Sequence, residues 1–228
     1  MESPMIAKLA RQMAMTIIIM AIMLFLPAGR LDWPGAWLFL AEMGLVGFGM
    51  GVWLARHDPD LLAERMKPPF QRAQPGWDRW FLIAIASLGA GWLVLMGLER
   101  RLAGGQLPFW LAVAGAVLML ISFAIVQWTF QTNSFASAVV RIQTERGHKV
   151  ISTGPYALVR HPMYAGAALI LLSVPLMLGS LWGLILAPAM IAMLGLRAVK
   201  EERVLAAGLE GYADYMRRVR FRLVPGLW

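Results

Sequence analysis

The chain has 228 residues, is 59% hydrophobic and 15% charged, and carries a formal net charge of +8. Its mean hydropathy of +0.63, spread over several unbroken apolar runs near the ~20 residues that cross ~30 Å of hydrocarbon, excludes a soluble globular domain. The absence of cysteine excludes disulfides and thiolate metal sites.

The apolar runs are continuous rather than alternating, so the spans are helices and not barrel strands. Six spans are expected in chain order, at about 12–28, 34–55, 80–98, 108–130, 162–178 and 181–199. The first follows Lys8 and Arg11 and lacks a small-residue cleavage site before Pro27, so it reads as a retained span. "PAGRLDWPG" breaks it from the second. The stretches 44–51 and 89–91, rich in glycine, predict close helix contacts in lipid. Trp33, Trp37, Trp110 and Trp182 fall near span ends, as an aromatic belt would. The 56–79 connection is polar and holds at most one short helix. The sixteen methionines read as adaptable packing. The fold class is therefore all-α: a single polytopic membrane domain over 1–228, with a C-terminal helical hairpin and an amphipathic tail.

Charge orients the bundle. Eighteen of the 21 Lys and Arg fall in the N-terminus, the 56–79 loop, the 131–160 segment and the tail from Arg197; only Arg30, Arg100 and Arg101 lie on the opposite side. The bias predicts both termini in the cytoplasm. It also makes the +8 charge a topology signal, with no nucleic acid expected as partner. The compact, Met- and Trp-rich chain has the look of a bacterial inner-membrane protein.

The stretch "GPYALVRHPMYAG" (154–166) opens the fifth span, with Pro162 at a helix start. About 17 residues at ~1.5 Å each carry the chain outward, "GSLWG" (179–183) turns it, and the sixth span returns. This hairpin predicts that Tyr156, Arg160, His161 and Tyr164 meet Arg197, Glu201 and Glu202 at one membrane face. Arg197 and Glu201 share a helical face; Glu202 is rotated by ~100° and faces elsewhere. The plain alternative is a snorkelling cationic rim with a surface ion pair. Paired carboxylates beside lipid, a His-Tyr pair and a helix N-terminus together favour a polar pocket. It would suit a zwitterionic amino acid joined to a sulfonium and a nucleoside, the parts of S-adenosylmethionine.

These motifs, "GHKVISTGPYALVRHPMYAG" (147–166), "RAVKEERVLAAGLEGYADYMRRV" (197–219) and "RLVP" (222–225), resemble the isoprenylcysteine carboxyl methyltransferase family and the related phospholipid N-methyltransferases. The resemblance covers the C-terminal hundred residues. It implies an integral membrane enzyme that uses S-adenosylmethionine and releases S-adenosylhomocysteine. It places cofactor contacts on Gln143, His148, Lys149, Val150, Ile151, Tyr156, His161, Pro162, Met163, Tyr164 and Glu201, and associates Arg197 with substrate. Residues 131–228 would form the cofactor core and 1–130 the acceptor side.

Methyl transfer from a sulfonium is an in-line displacement governed by alignment. A carboxylate acceptor needs no base, and Arg197 could hold it; an amine or thiol needs one, with Glu202, His161 or a tyrosine available. Arg197 and Glu202 are thus the expected catalytic pair, and no metal is expected. The acceptor is a lipophilic or lipidated molecule, most like an isoprenylcysteine-type carboxylate, with a lipid amine or small thiol as alternatives. A transporter or binding protein is the competing class, but transporters carry repeats and a midplane site. Oligomeric state is left open. Glu42 lies inside the second span, as a functional group or a helix-packing one. Gln127, Gln131 and Asn133 cap the fourth span or join the pocket wall. Leu205, Leu209, Tyr212, Met216 and Val219 predict an amphipathic tail helix on the membrane surface, or under the cofactor.

Overall fold

The computed structural model describes residues 2–71, 74–105 and 107–228, and among them every regular element is helical. In order these are α1 (Glu2–Ala28), α2 (Pro34–His57), α3 (Pro59–Arg65), α4 (Gly76–Ala103), α5 (Phe109–Thr132), α6 (Pro162–Leu178), α7 (Leu181–Gly208) and α8 (Tyr212–Arg218). Five of them, α1, α2, α4, α5 and α7, have the length and apolar composition to span a bilayer. The sixth expected span, α6, has 17 residues, at the lower limit for crossing. The helices outrun the apolar runs. α7 continues from Arg197 to Gly208 because "RAVKEERVLAA" is made of strong helix formers, whose propensity does not end at the lipid boundary.

α1 packs on α2 and α4, α5 on α6, and α7 on α6 and α4. Apolar side chains such as Leu26 and Leu45 face outward, as they do where the solvent is lipid. Close backbone approach then decides where helices meet. A Cβ on Gly97 would lie 2.5 Å from the Leu24 carbonyl oxygen, so α4 and α1 touch there only because the residue is glycine. Gly44, Gly47 and Gly51 receive Ile17, Met13 and Leu9 of α1, as the 44–51 stretch predicts. The 89–91 stretch does not: Gly89 and Gly91 have open space where a side chain would be. Trp33 also departs from expectation. It is 3% exposed, and its indole N–H donates to the Leu178 carbonyl at 3.1 Å, so it belongs to the core rather than to a belt. Trp37 and Trp110 are exposed.

Backbone groups freed at helix ends inside the bundle need partners. The buried Glu99 of α4 accepts from the Leu181 N–H at 3.0 Å, from the Trp182 N–H at 3.1 Å and from the Ser180 hydroxyl. Ser180 in turn accepts from the Gly183 N–H at 2.9 Å. This inter-helix cap fixes the start of α7, and therefore the rotation with which α7 arrives at the opposite face.

Candidate active site

The α6–α7 hairpin folds as the spacing predicts. His161 precedes Pro162 at the start of α6. Gly179, at φ +69°, makes the left-handed turn that ends it. α7 then brings its last turns back beside the first turn of α6. The Tyr164 hydroxyl donates to Glu201 Oε2 at 2.6 Å, and His161 Nε2 lies 3.2 Å from Glu202 Oε1. The His161 and Tyr164 rings stack in parallel, 5.4 Å apart.

The adjacent carboxylates do different work. Glu202 is 3% exposed and joins Arg160 Nε at 2.6 Å, Arg222 Nε at 3.0 Å and His161. Arg160 Nη1 also donates to the Val219 and Arg220 carbonyls. The Arg160 and His161 backbone N–H groups donate to the Phe221 and Arg222 carbonyls at 2.9 Å each. Glu202 is thus the hub that ties the α6 entry to the segment after α8, and the two cations and many donors compensate its burial. Glu201 uses only Oε2; its Oε1 has no partner among the described residues, and the side chain lines a cavity.

That cavity encloses about 720 Å³ of atom-free space, mouth included. One wall is the segment after α5. Asn133 caps α5 and also reaches the cavity, where its side-chain N–H donates to the Tyr156 hydroxyl at 2.8 Å. Phe135 stacks on His148 at 4.6 Å. Gly154 starts the short 3₁₀ turn Gly154–Ala157 with φ +56°, pressed on Thr132 so closely that a Cβ would lie 2.6 Å from the threonine hydroxyl; this presents Tyr156 inward. The floor is the tail. Leu209, Tyr212 and Tyr215 pack with Ile142, Val150 and Tyr156, and the Tyr215 hydroxyl donates to the Tyr156 carbonyl at 2.9 Å. The tail therefore does not form one amphipathic helix on the membrane surface. Gly211, at φ +79°, breaks it into the end of α7 and α8, and its apolar face closes the cavity from below.

Of the thirteen residues expected to act, His148, Lys149, Val150, Ile151, Tyr156, His161, Met163, Tyr164 and Glu201 line the cavity. Four stand behind its wall. Pro162 opens the first turn of α6 and is buried. Gln143 is fully buried, with its amide N–H donating to the Phe135 carbonyl and its carbonyl accepting from Arg146. Glu202 is engaged as above. Arg197 Nε holds Asp78 Oδ1 at 2.9 Å and its Nη2 donates to the Ala138 carbonyl at 2.9 Å, with Phe81 and Tyr164 rings on its faces.

Asp78, fully buried, escaped the sequence reading. It also accepts from the Val140 N–H at 3.0 Å and from Gln74 at 2.7 Å, welding the start of α4 to the cavity wall. Only its place in "GWDRWF", a lone acid opening an apolar run, hinted at it. Glu42 is buried on the α2 face that carries Gly35, which abuts α6, and its Oε1 has no partner.

Electrostatics keep the cavity wall neutral around His148. Burial, with Arg141 and Arg146 nearby, lowers its pKa to about 4. The Gln143 N–H donates to its Nδ1 at 3.2 Å, so Nε2 carries the proton. Burial raises the Tyr156, Tyr212 and Tyr215 phenols, which stay protonated at neutral pH. The residues present fit S-adenosylmethionine: an open carboxylate oxygen for an ammonium, aromatic faces for a sulfonium, and apolar side chains for a nucleoside.

Residues 110–209 match the protein family described as phospholipid methyltransferase. No curated protein matches the chain directly. The matched segment runs from α5 through α7 and contains the hairpin and most of the cavity wall. The chain is a membrane methyltransferase that uses S-adenosylmethionine. The match is to the phospholipid branch of the resemblance; the isoprenylcysteine branch is not what it identifies.

Proposed function

We propose that the chain moves the methyl group of S-adenosylmethionine to a lipophilic acceptor arriving from the bilayer, at the cytoplasmic face. The observation that carries the proposal is Glu201 in the cavity lining, fixed through Oε2 by the 2.6 Å hydrogen bond from Tyr164, with no described donor on Oε1. When bound, the cofactor supplies an electrophilic methyl on a sulfonium. Glu201 takes its ammonium, and Tyr156, His161 and Tyr164 supply the wall. Glu202 and Arg197 act as positioning residues: one holds the α6 entry, the other the start of α4.

With neutral phenols and His148 uncharged, the cavity favours alignment over proton removal. That suits an isoprenylcysteine-type carboxylate, which is already ionised. A lipid amine is the second reading, favoured by the family match over 110–209; Glu201 and His161 are the groups within reach of its proton.

The test uses purified protein in detergent. Calorimetric titration should show saturable S-adenosylmethionine binding, lost in Glu201→Ala. Unchanged affinity in that variant removes Glu201 from the site. Methyl-labelled donor is then supplied with an S-farnesylcysteine derivative or with phosphatidylethanolamine. Label released by base as methanol comes from a methyl ester and identifies the carboxylate; label kept on nitrogen after the same treatment identifies the amine.

A further inference from the structure

Around the cofactor cavity, the guanidiniums are nearly all paired. Arg141 holds Glu64 and Glu145, Arg160 and Arg222 hold Glu202, and Arg197 holds Asp78. Arg146 is engaged by the Ser134 and Gln143 carbonyl oxygens. Arg65, the last residue of α3, pairs with no carboxylate among the described residues. Its Nη1 donates to the Ala136 carbonyl at 2.8 Å and approaches Met163 Sδ at 3.5 Å, and its guanidinium lies 4.5 Å over the Phe130 ring. Its Nε and Nη2 donate to no described group. Burial pulls its pKa down to about 10, which leaves it charged at neutral pH. A carbonyl, a thioether and a ring leave this half-buried cation without a counter-ion among the described residues, with two donor nitrogens free to take one.

Its position gives that anion a role. Ala136 and Met163, which Arg65 touches, also line the cofactor cavity. On the lipid side, a groove between α2 and α5 is lined by Val46, Gly49, Trp53, Leu120 and Gln127, among others, with about 820 Å³ of atom-free space, mouth included. Trp53 packs in one cluster with Leu61, Leu62 and Phe130, so the groove ends against α3 and the ring beneath Arg65. Gln127 Oε1, in the groove wall, is buried without a donor. An apolar channel, a lone cation and the cofactor cavity therefore follow one another.

Resting on the function proposed above, we infer that Arg65 recognises the acceptor's anionic group, a carboxylate or phosphate, while its lipid chain lies in the α2–α5 groove. Arg197, with its charge already matched by Asp78, is not free to do so. Arg65 is then a specificity-determining residue, selecting anionic lipophiles over neutral ones.

The probes are dibromo-oleate and its neutral methyl ester, read by tryptophan quenching in detergent at pH 8.5, where the acid is ionised and Arg65 is charged. Wild type should bind the acid about tenfold more tightly than the ester, the scale of one charge-assisted contact. Arg65→Gln should abolish the preference, Arg65→Lys should keep most of it, and Trp53→Phe should remove much of the quenching. Displacement by dodecyl phosphate against dodecanoate tells phosphate from carboxylate. The inference is overturned by equal binding of acid and ester to wild type, by an unchanged preference in Arg65→Gln, or by failure of both anions to displace. S-adenosylmethionine titration of the same wild-type sample separates the two readings. Cofactor binding without acid preference sinks this inference alone; no cofactor binding sinks the function itself.

Discussion

The two halves of the molecule are held together by different forces. Between α1, α2 and α4, contacts are apolar and intimate, and they depend on glycines such as Gly97 against the Leu24 carbonyl. At the face formed by α6, α7 and the tail, buried ions carry the architecture: Glu202 with Arg160 and Arg222, and Asp78 with Arg197. The difference follows from solvent. In lipid, side-chain burial gains little and surface fit decides. Where lipid meets water, compensated charges can hold irregular backbone in one shape, and a cofactor cavity needs irregular backbone.

That contrast is sharpened most by Glu202→Gln. Removing one member of a buried ionic hub should cost about 3–5 kcal/mol, read as a lower unfolding midpoint in detergent. Glu201→Gln should cost no more than ~1 kcal/mol, one hydrogen bond's worth, while weakening cofactor binding. Similar melting of the two variants would break the division between hub and ligand. Next comes Gly97→Leu, which forces α4 from α1 and should cost about 1–3 kcal/mol while cofactor affinity of the folded fraction holds.

The smallest effect is pH dependence through His148. Its folded pKa, about 4, lies below its ordinary value of 6.5. Between these values the unfolded chain binds the extra proton. The contribution is therefore complete above pH 6.5 and is lost as pH falls toward 4. The midpoint should decline through that window, and His148→Phe should flatten part of the decline. An identical decline in the variant would assign it to other groups.

Much of this was legible in the sequence for definable reasons. Continuous apolar runs announce spans, and Pro162, the 179–183 turn and the length between them announce the hairpin that joins Tyr164 to Glu201. The ~100° offset between Glu201 and Glu202 says that they face apart, but which of them meets the cavity depends on the rotation of α7, and that is set by Glu99 far off at the other membrane face. Asp78 was invisible because its partner Arg197 is 119 positions away. The tail's apolar spacing was read correctly, but Gly211 cuts it, and the surface it covers is protein rather than lipid. Arg65 gave no signal, because a cation in a polar loop looks solvated until Phe130 and Met163 are seen around it.

The backbone of Arg160 and His161 hangs from the carbonyls of Phe221 and Arg222. During synthesis the long apolar helices can therefore enter the bilayer before the segment that clamps the start of α6 exists. A nascent chain halted after α7 would be inserted yet lack the strap that holds the α6 entry, so the shape of the cavity depends on residues beyond the last membrane-crossing helix and not on membrane integration alone.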